Sequence, residues 1–316
     1  MADSSSGGVA ETKRHSALVG FLIRLVKEKP LGVVGGIITL LLLLTGIFAD
    51  FLAPYGMNES LGVENYLLNS STRFWFGTDN AGRDILSRVI FGARISVIIG
   101  LSGAAVATII STIIGMLTGY IGGKLDMIMQ RVVDAWMCMP SLVVLMVVMS
   151  IVGAGMLPVI LVLGFQWGLV GSRIVRGAVI GIKENVYVEA ARAIGCPTTR
   201  ILTRHILPNI MAPTIILFTT RVPNVILTEA SLSFLGFGIP PPAPSWGGML
   251  SGAGRNYMFV APWMVIWPGL ALASVVYGIN MFGDAVRDIL DPRLRGGVGR
   301  YGVRVEKEEK SSDSKK

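Results

Sequence analysis

The side chains with the clearest chemical potential are charged and polar groups inside an apolar stretch. Arg221 and Glu229 lie there, eight residues apart. A charge within a membrane-spanning helix costs free energy, so it predicts either a partner or a polar cavity. Eight residues correspond to about 12 Å along a helix and about 80° of rotation, so the two groups can share a broad face without touching.

Two interpretations of this polar set stay open. In the first, the helix lines a passage and accommodates peptide termini or other polar solutes, with four lining residues: Arg221, Asn224, Glu229 and Ser231. In the second, the two charges pair with another subunit, or with Asp134 or Arg173 on neighbouring helices.

Residues for catalysis are scarce. The two histidines, His15 and His205, form no metal-ligand cluster, and Cys138 and Cys196 lack the spacing of a disulfide or zinc site. No nucleophile–base arrangement emerges, which argues against a membrane-embedded enzyme. The nearest approach to a Walker A motif, residues 122–125, lacks the spaced first glycine and the Ser or Thr. We therefore expect no cofactor on this chain, and any ATPase would be another protein.

The composition is typical of a membrane protein. The chain is 52% hydrophobic and 15% charged, whereas soluble domains carry about 25% charged residues. The net charge is +8, but the basic residues are not interleaved with aromatic residues that could stack on nucleobases. No nucleic-acid partner is therefore expected.

Six apolar stretches are long enough to cross a bilayer, which needs about 20 residues per helix. They lie near residues 31–53, 95–121, 132–152, 156–176, 211–235 and 262–282. The predicted fold is an all-α integral membrane protein with six transmembrane helices. Its predicted parts are a tail at 1–30, a first transmembrane helix at 31–53, an external loop at 54–94, a core at 95–284 containing a loop at 177–209, and a tail at 285–316. Residues 1–12 and 311–316 are predicted to be disordered.

Lysine and arginine are enriched on the cytoplasmic side of membrane proteins. Most of the 28 in this chain lie in the two terminal segments and the 177–209 loop, which predicts that both termini and this loop are cytoplasmic. The external loop then ends in a sequence that can cap a helix, residues 78–84. In a helix, the apolar residues of 83–94 would share one face and the charged residues another, which predicts an amphipathic helix at the interface, or a plain connector. Pro140, Pro223 and Pro268 are expected inside helices as kinks. Gly115/Gly119 and Gly100/Ala104 have the spacing of close helix packing.

The 177–209 loop is expected to contain two short helices around Gly195. Residues 185–194 are helical in composition, and Gly195 can adopt the positive φ that ends a helix. Pro197 suits the first turn of the next helix, and Pro208 precedes the fifth span. The unit exposes small alanines, so a partner surface can approach it closely.

This loop resembles the EAA loop of ATP-binding-cassette (ABC) importer permeases, in which it is a coupling helix seated on a cytoplasmic ATPase. The matching residues are Glu189, Ala190, Ala191, Gly195, His205, Leu207 and Pro208. His205 replaces an aliphatic residue of the general pattern, and this form is similar to the dipeptide/oligopeptide/nickel branch. Three further segments resemble that branch in the same order: 76–84, 229–247 and 288–293. The match is to the six-span second permease of the pair.

The resemblance implies a type I importer in the prokaryotic inner membrane. Its partners would be a homologous second permease, two cytoplasmic ABC ATPases that bind ATP and magnesium, an external substrate-binding protein and membrane lipid. The cargo of the branch includes dipeptides, longer peptides, nickel chelates and some oligosaccharides. An ion-driven secondary transporter is the rival, although no internal repeat and few intramembrane carboxylates are visible.

The resemblance also makes Glu189 a docking residue for the ATPase. Two local alternatives remain open, since Glu189 could cap its own helix or pair with Arg192 one turn later. Packing or capping is the plain interpretation of His205, and a proton relay is the other.

Overall fold

The computed structural model of the chain describes residues 17–290, with side chains from residue 23 onward. In chain order the helices are α1 (Ala17–Glu28), α2 (Pro30–Ile47), α3 (Ala49–Leu52), α4 (Ile85–Ile121), α5 (Gly123–Met137), α6 (Ser141–Val152), α7 (Met156–Lys183), α8 (Val186–Ala193), α9 (Thr198–Arg200), α10 (Met211–Phe234), α11 (Trp246–Leu250), α12 (Gly252–Tyr257) and α13 (Trp263–Leu290). A 3₁₀ turn covers Val63–Asn65, and residues 201–210 form a π segment followed by a 3₁₀ segment. The predicted disordered ends and the motif residues after 290 lie outside the described residues.

Within the described residues, five helices are long and apolar enough to cross a membrane: α2, α4, α7, the continuous segment Thr198–Phe234, and α13. The pair α5 and α6 gives a sixth span if it is counted as one, although it is bent by 94°. The predicted all-helical membrane architecture is therefore confirmed, with five or six candidate spans.

The third predicted span, residues 132–152, is not one kinked helix. Helix α5 ends at Met137, and Pro140 is the N-cap residue of α6. Proline lacks an N–H and disfavours helical geometry in the residue before it, so Pro140 separates two helices. Pro223 and Pro268, in contrast, lie inside α10 and α13 as predicted.

The separate amphipathic helix predicted at residues 83–94 is also wrong. These residues begin α4, which runs for 37 residues without a break. Asp84 caps it as predicted, because its carboxylate accepts the N–H of Ser87 at 2.8 Å. Ser87 and Arg88 are buried, so the polar face of this stretch contacts protein instead of water.

The first predicted span, residues 31–53, is shortened by a break at Phe48 between α2 and α3. Arg94 of α4 donates to the carbonyl oxygens of Gly46 and Ile47 and to the carboxylate of Asp50. These hydrogen bonds satisfy the carbonyls at the end of α2. The hydrogen bond from Arg94 also lowers the pKa of Asp50.

Small residues let α4 form the centre of the bundle. A Cβ atom on Gly115 would lie 2.6 Å from Val175 of α7, and one on Gly119 would lie 2.9 Å from Val179. A Cβ on Gly100 would lie 2.7 Å from Ile226 of α10. Such separations leave no room for a side chain, so close helix packing, predicted from the spacing, is confirmed.

Candidate functional site

Helix α8 and the turn after it carry four of the coupling residues predicted from the sequence: Glu189, Ala190, Ala191 and Gly195. Asn185, in extended conformation, precedes α8 as its N-cap residue. Gly195 has φ +77°, its N–H donates to the carbonyl of Arg192, and the N–H of Cys196 donates to the carbonyl of Ala191. These two bonds form a Schellman motif, which needs a residue in left-handed conformation. The predicted helix ending at Gly195 is confirmed.

The chain after this turn does not form the separate second helix that was expected. It is helical from Thr198 to Phe234, so Pro208 lies inside a continuous segment and does not precede a new span. Pro208 lies in the 3₁₀ segment Leu207–Ile210, which directly follows the π segment Ile201–Ile206. These changes of winding let the helix continue although Pro208 supplies no N–H. Pro197 is the N-cap residue, one position before the first turn.

The inner face of α8 belongs to an apolar cluster that joins four elements. Val188 is fully buried and Ala191 is 7% exposed. They pack with buried residues from α7, the π segment and the segment that follows it: Val175, Val179, Ile201, Leu202, Ile206 and Ile210. Ala191 is therefore a packing residue, which corrects the expectation that both alanines are exposed.

The outer face of α8 carries the accessible residues. Ala190 and Glu189 are exposed, and Val186 and Ile194 are 80% and 84% exposed. Val186 is the first residue of α8 and Ile194 is its C-cap residue, so exposed apolar side chains lie at both ends of this face, as is typical of an interaction surface. This face is free to contact another protein.

Neither local role that remained open for Glu189 is formed in the described part of the chain. Asn185 occupies the N-cap position. Arg192 turns away from Glu189, and its guanidinium lies 5.3 Å from the ring centroid of Tyr120 at the end of α4. The Glu189 carboxylate is therefore left to solvent or to a partner.

His205, Leu207 and Pro208 lie beside α8 on the helix that continues the chain. The ring of His205 is 6.3 Å from that of Tyr187, which fits the packing role expected for it. Leu207 packs against the apolar cluster, and Pro208 is exposed.

The four polar residues expected to line a passage do not form one group. Arg221 of α10 lies over Trp167 of α7, with 4.6 Å between its guanidinium carbon and the ring centroid. Asn224 is exposed, and its amide donates to the carbonyl of Thr220 at 2.6 Å. Ser231 donates to the carbonyl of Leu227 at 2.8 Å.

Glu229 is 1% exposed and accepts the hydroxyl of Ser233 at 2.6 Å. That hydroxyl in turn accepts the N–H of Ile239 at 3.0 Å. Glu229 therefore fastens the loop that follows α10 onto the end of that helix, and a lining role does not fit this burial. The alternative, in which Arg221 or Glu229 pairs with Asp134 or Arg173, is wrong too, because Asp134 and Arg173 form an ion pair with each other.

Residues 76–84, which resemble the dipeptide/oligopeptide/nickel branch, hold the loop 54–84 against α13. Phe76 stacks on Trp267 with 3.9 Å between centroids and 5° between planes. Trp263 donates its indole N–H to the carbonyl of Thr78 at 3.1 Å. A Cβ on Gly77 would lie 2.7 Å from the Trp263 indole nitrogen, so glycine is required there.

Sequence reasoning missed the aromatic partners Tyr120 and Trp167. Tyr120 lies one residue from the end of its apolar stretch, and Trp167 lies in the middle of another. Amphipathic rings at such places are a signal for contacts with a cation, but the cation that each ring meets comes from a distant segment.

Comparison with known proteins decides the family. Residues 111–296 match the family described as "Binding-protein-dependent transport system inner membrane component". The chain belongs to this family. Residues 13–69 of the permease also match the family described as "N-terminal TM domain of oligopeptide transport permease C", which confirms the resemblance to the second permease of the peptide branch.

The permease is similar along most of its length to curated relatives. It is 37% identical over 270 residues to the dipeptide transport system permease protein DppC of Alkalihalophilus pseudofirmus, covering 85% of this chain and 88% of that protein. It is 38% identical over 273 residues to the oligopeptide transport system permease protein OppC of Bacillus subtilis, covering 85% and 88%. It is 37% identical over 263 residues to the glutathione transport system permease protein GsiD of Pectobacterium atrosepticum, covering 83% and 87%. The chain is therefore a multi-pass inner-membrane permease of an ABC importer, and it is not the ATPase.

Proposed function

We propose that this permease forms half of the translocation pathway of a type I importer for peptide-class solutes. The observation that carries the proposal is α8, a short helix with a packed inner face and an outer face on which Val186, Ala190 and Ile194 are exposed. The relatives transport dipeptides, oligopeptides and glutathione, to judge by their names, and all three cargoes carry peptide bonds and free carboxylates.

The proposed orientation places α8 and both termini in the cytoplasm and the loop 54–84 outside. It is supported by the concentration of Lys and Arg in the segments next to α8 and in the terminal segments. A homologous second permease would complete the pathway, and an external binding protein would deliver the solute. Two ATPases would bind ATP and magnesium and grip the exposed faces of α8 and its counterpart.

The coupling role is supported by how α8 is anchored. Its inner residues, Val188 and Ala191, share one cluster with α7 and the helix that becomes α10. A displacement of α8 would therefore move the bundle, since close-packed interiors transmit displacement. The docking face, the turn and the support of the turn would be formed in this unit by Glu189, Ala190, Gly195, His205, Leu207 and Pro208.

For the solute pathway we retain Arg221, Asn224 and Ser231, and assign Glu229 a supporting role. Arg221 is partly exposed and its Nε has no hydrogen-bond partner within the described residues. A cation held on an indole face within a candidate span is suited to a passing carboxylate or to the second permease.

Photo-crosslinking in the assembled importer tests the proposal. A photoreactive amino acid replaces Ala190 on α8, and in a matched variant it replaces Val63, which is 90% exposed in the loop 54–84. We expect the Ala190 variant to form an adduct with the ATPase, and the Val63 variant to form none. An ATPase adduct from Val63 would contradict the orientation, and no adduct from Ala190 would contradict docking at α8.

A further inference from the structure

A cavity of about 370 Å³ opens at the end of the bundle that carries the loop 54–84. It lies between the segment around the start of α4 and the loop that follows α10. One wall carries three charged residues, Asp79, Arg83 and Arg88. This volume is in the range of sites that hold small molecules, roughly 300–1,000 Å³.

The carboxylate of Asp79 is already occupied. One oxygen accepts the backbone N–H groups of Ala81 and Arg83 at 2.8 and 3.0 Å. The other accepts Nε of Arg83 at 2.7 Å. Asp79 therefore fixes its own turn, and its single negative charge is shared by the ion pairs with Arg83 and Arg88, so these three residues together keep one net positive charge.

Arg88 is a buried cation with weak partners. Its side chain is 9% exposed, and its Nε lies 3.6 Å from Asp79, beyond hydrogen-bond distance. Its Nη1 donates to the carbonyl oxygens of Pro242 and Met57 at the long distances of 3.3 and 3.5 Å. A desolvated guanidinium that shares one carboxylate with a second arginine is stabilised when a further anion enters the site. The planar fork of arginine matches a carboxylate with two parallel hydrogen bonds.

The rest of the lining is neutral and offers little selectivity. It is formed by small and apolar residues that include Gly248, Ala253, Gly254, Met249 and Met264. Among the described residues that line the cavity, the charged ones are those of the first wall. Such a site would hold a carboxylate firmly and tolerate different groups attached to it.

We propose that this cavity binds the carboxylate of a peptide-class solute, with Arg88 as its principal contact. The inference rests on the proposed function, because the proposed orientation places the cavity outside, where a binding protein would release its cargo. The site would hold the solute at the entrance before it passes between the two permeases. This role is distinct from that of Arg221, because Arg88 lies in the first turn of α4 beside the loop 54–84 and Arg221 lies midway along α10.

Equilibrium dialysis on the complete importer in nanodiscs, without the binding protein, tests the site. The ligands are radiolabelled dialanine and dialanine amide, which differ in the C-terminal carboxylate. We expect the wild-type complex to bind dialanine at least about tenfold more tightly than the amide. We expect Arg88→Gln to lose that difference and Arg88→Lys to retain part of it. Arg73→Gln, at an exposed arginine of the same loop, should bind as the wild type does.

Equal binding of dialanine and its amide by the wild type would overturn the proposal without using any variant. So would the absence of dialanine binding at millimolar concentration, or an Arg88→Gln complex that binds dialanine normally but no longer binds the binding protein. ATP-dependent uptake by the same wild-type complex with its binding protein is measured in parallel. If uptake is present and the site fails these tests, the inference is wrong and the proposed function stands; if uptake is absent, the proposed function fails.

Discussion

The guanidinium of Arg192 lies over the ring of Tyr120, 5.3 Å from its centroid. This contact joins the exposed helix α8 to the last turn of α4. Nearby, Lys183 donates to the carbonyl of Gly119 at 3.2 Å. Three helices thus converge where α8 is attached, so a force on α8 reaches α4 and α7 together.

Tyr120→Leu should weaken this connection without removing apolar packing. A partly exposed cation–π contact contributes about 0.5–1 kcal/mol, which corresponds to about a two- to fivefold decrease in transport per ATP hydrolysed if the contact acts in the power stroke. The measurement is peptide uptake and ATP hydrolysis in the same proteoliposomes. Arg200→Ala, at an exposed arginine of the same loop, is the control, and equal losses in both variants would contradict the prediction.

Ala190 and Ala191 should respond oppositely to enlargement. Ala191→Phe forces a ring into the apolar cluster and should lower the free energy of unfolding by about 1–3 kcal/mol. Ala190→Phe adds the ring to the exposed face, so stability should be unchanged while ATPase copurification is lost. Thermal unfolding of the purified permease pair and copurification read the two effects separately. A stable Ala191→Phe protein would count against the burial that separates the two residues.

The helix–glycine unit at residues 185–195 could be predicted because its signals are local. An N-cap residue, an alanine-rich helix and a glycine act within a few residues of one another. The six apolar stretches were recognisable for a similar reason, since bilayer thickness sets the length of every span. The Asp84 cap followed from the same local chemistry.

Glu229 and Arg221 should behave differently when replaced. Glu229→Ala leaves the buried Ser233 hydroxyl without its acceptor, which costs about 1–3 kcal/mol, so assembly should fail or the complex should lose thermal stability. Arg221→Gln should leave the complex intact and decrease peptide uptake. Size-exclusion chromatography and uptake in reconstituted vesicles distinguish the two. An intact Glu229→Ala complex that fails only in transport would restore Glu229 to the pathway.

The glycine contacts of α4 predict a further pair of variants. Gly115→Val places a side chain where Val175 already lies and should lower the stability of the α4–α7 contact by about 1–3 kcal/mol. Gly177→Val on α7 meets no atom within 4 Å and serves as the matched control. Thermal unfolding in detergent should show a loss for Gly115→Val alone. Equal losses of stability in the two variants would mean that valine destabilises the helix itself, and that the close packing of α4 on α7 is not the cause.

The errors arose where tertiary contacts override local signals. The separate apolar and charged faces of residues 83–94 indicated an interfacial helix, but Arg88 is enclosed by the loop segments of Met57 and Pro242, which are distant in sequence. Pro208 was expected to separate two helices because proline usually ends a helix. In the structure, the π and 3₁₀ segments around it let one helix continue. The pairing of Asp134 with Arg173 depends on how α5 lies against α7, and α5 is also bent by 94° from α6.

Gly195 offers the sharpest test of whether the α8 unit couples a separate, cytoplasmic ATPase to transport. Gly195 has φ +77°, and a Cβ there would meet nothing within 4 Å, so a substitution acts through backbone conformation alone. Left-handed geometry costs roughly 1–2 kcal/mol for an ordinary residue, whereas asparagine tolerates it better. The measurement is ATP-dependent dipeptide uptake by reconstituted complexes of the wild type, Gly195→Val and Gly195→Asn. We predict uptake by the wild type and Gly195→Asn and its loss in Gly195→Val. Normal ATP-driven uptake by Gly195→Val, or wild-type uptake driven by a proton gradient without ATP, would show that the α8 unit does not couple an ATPase to transport.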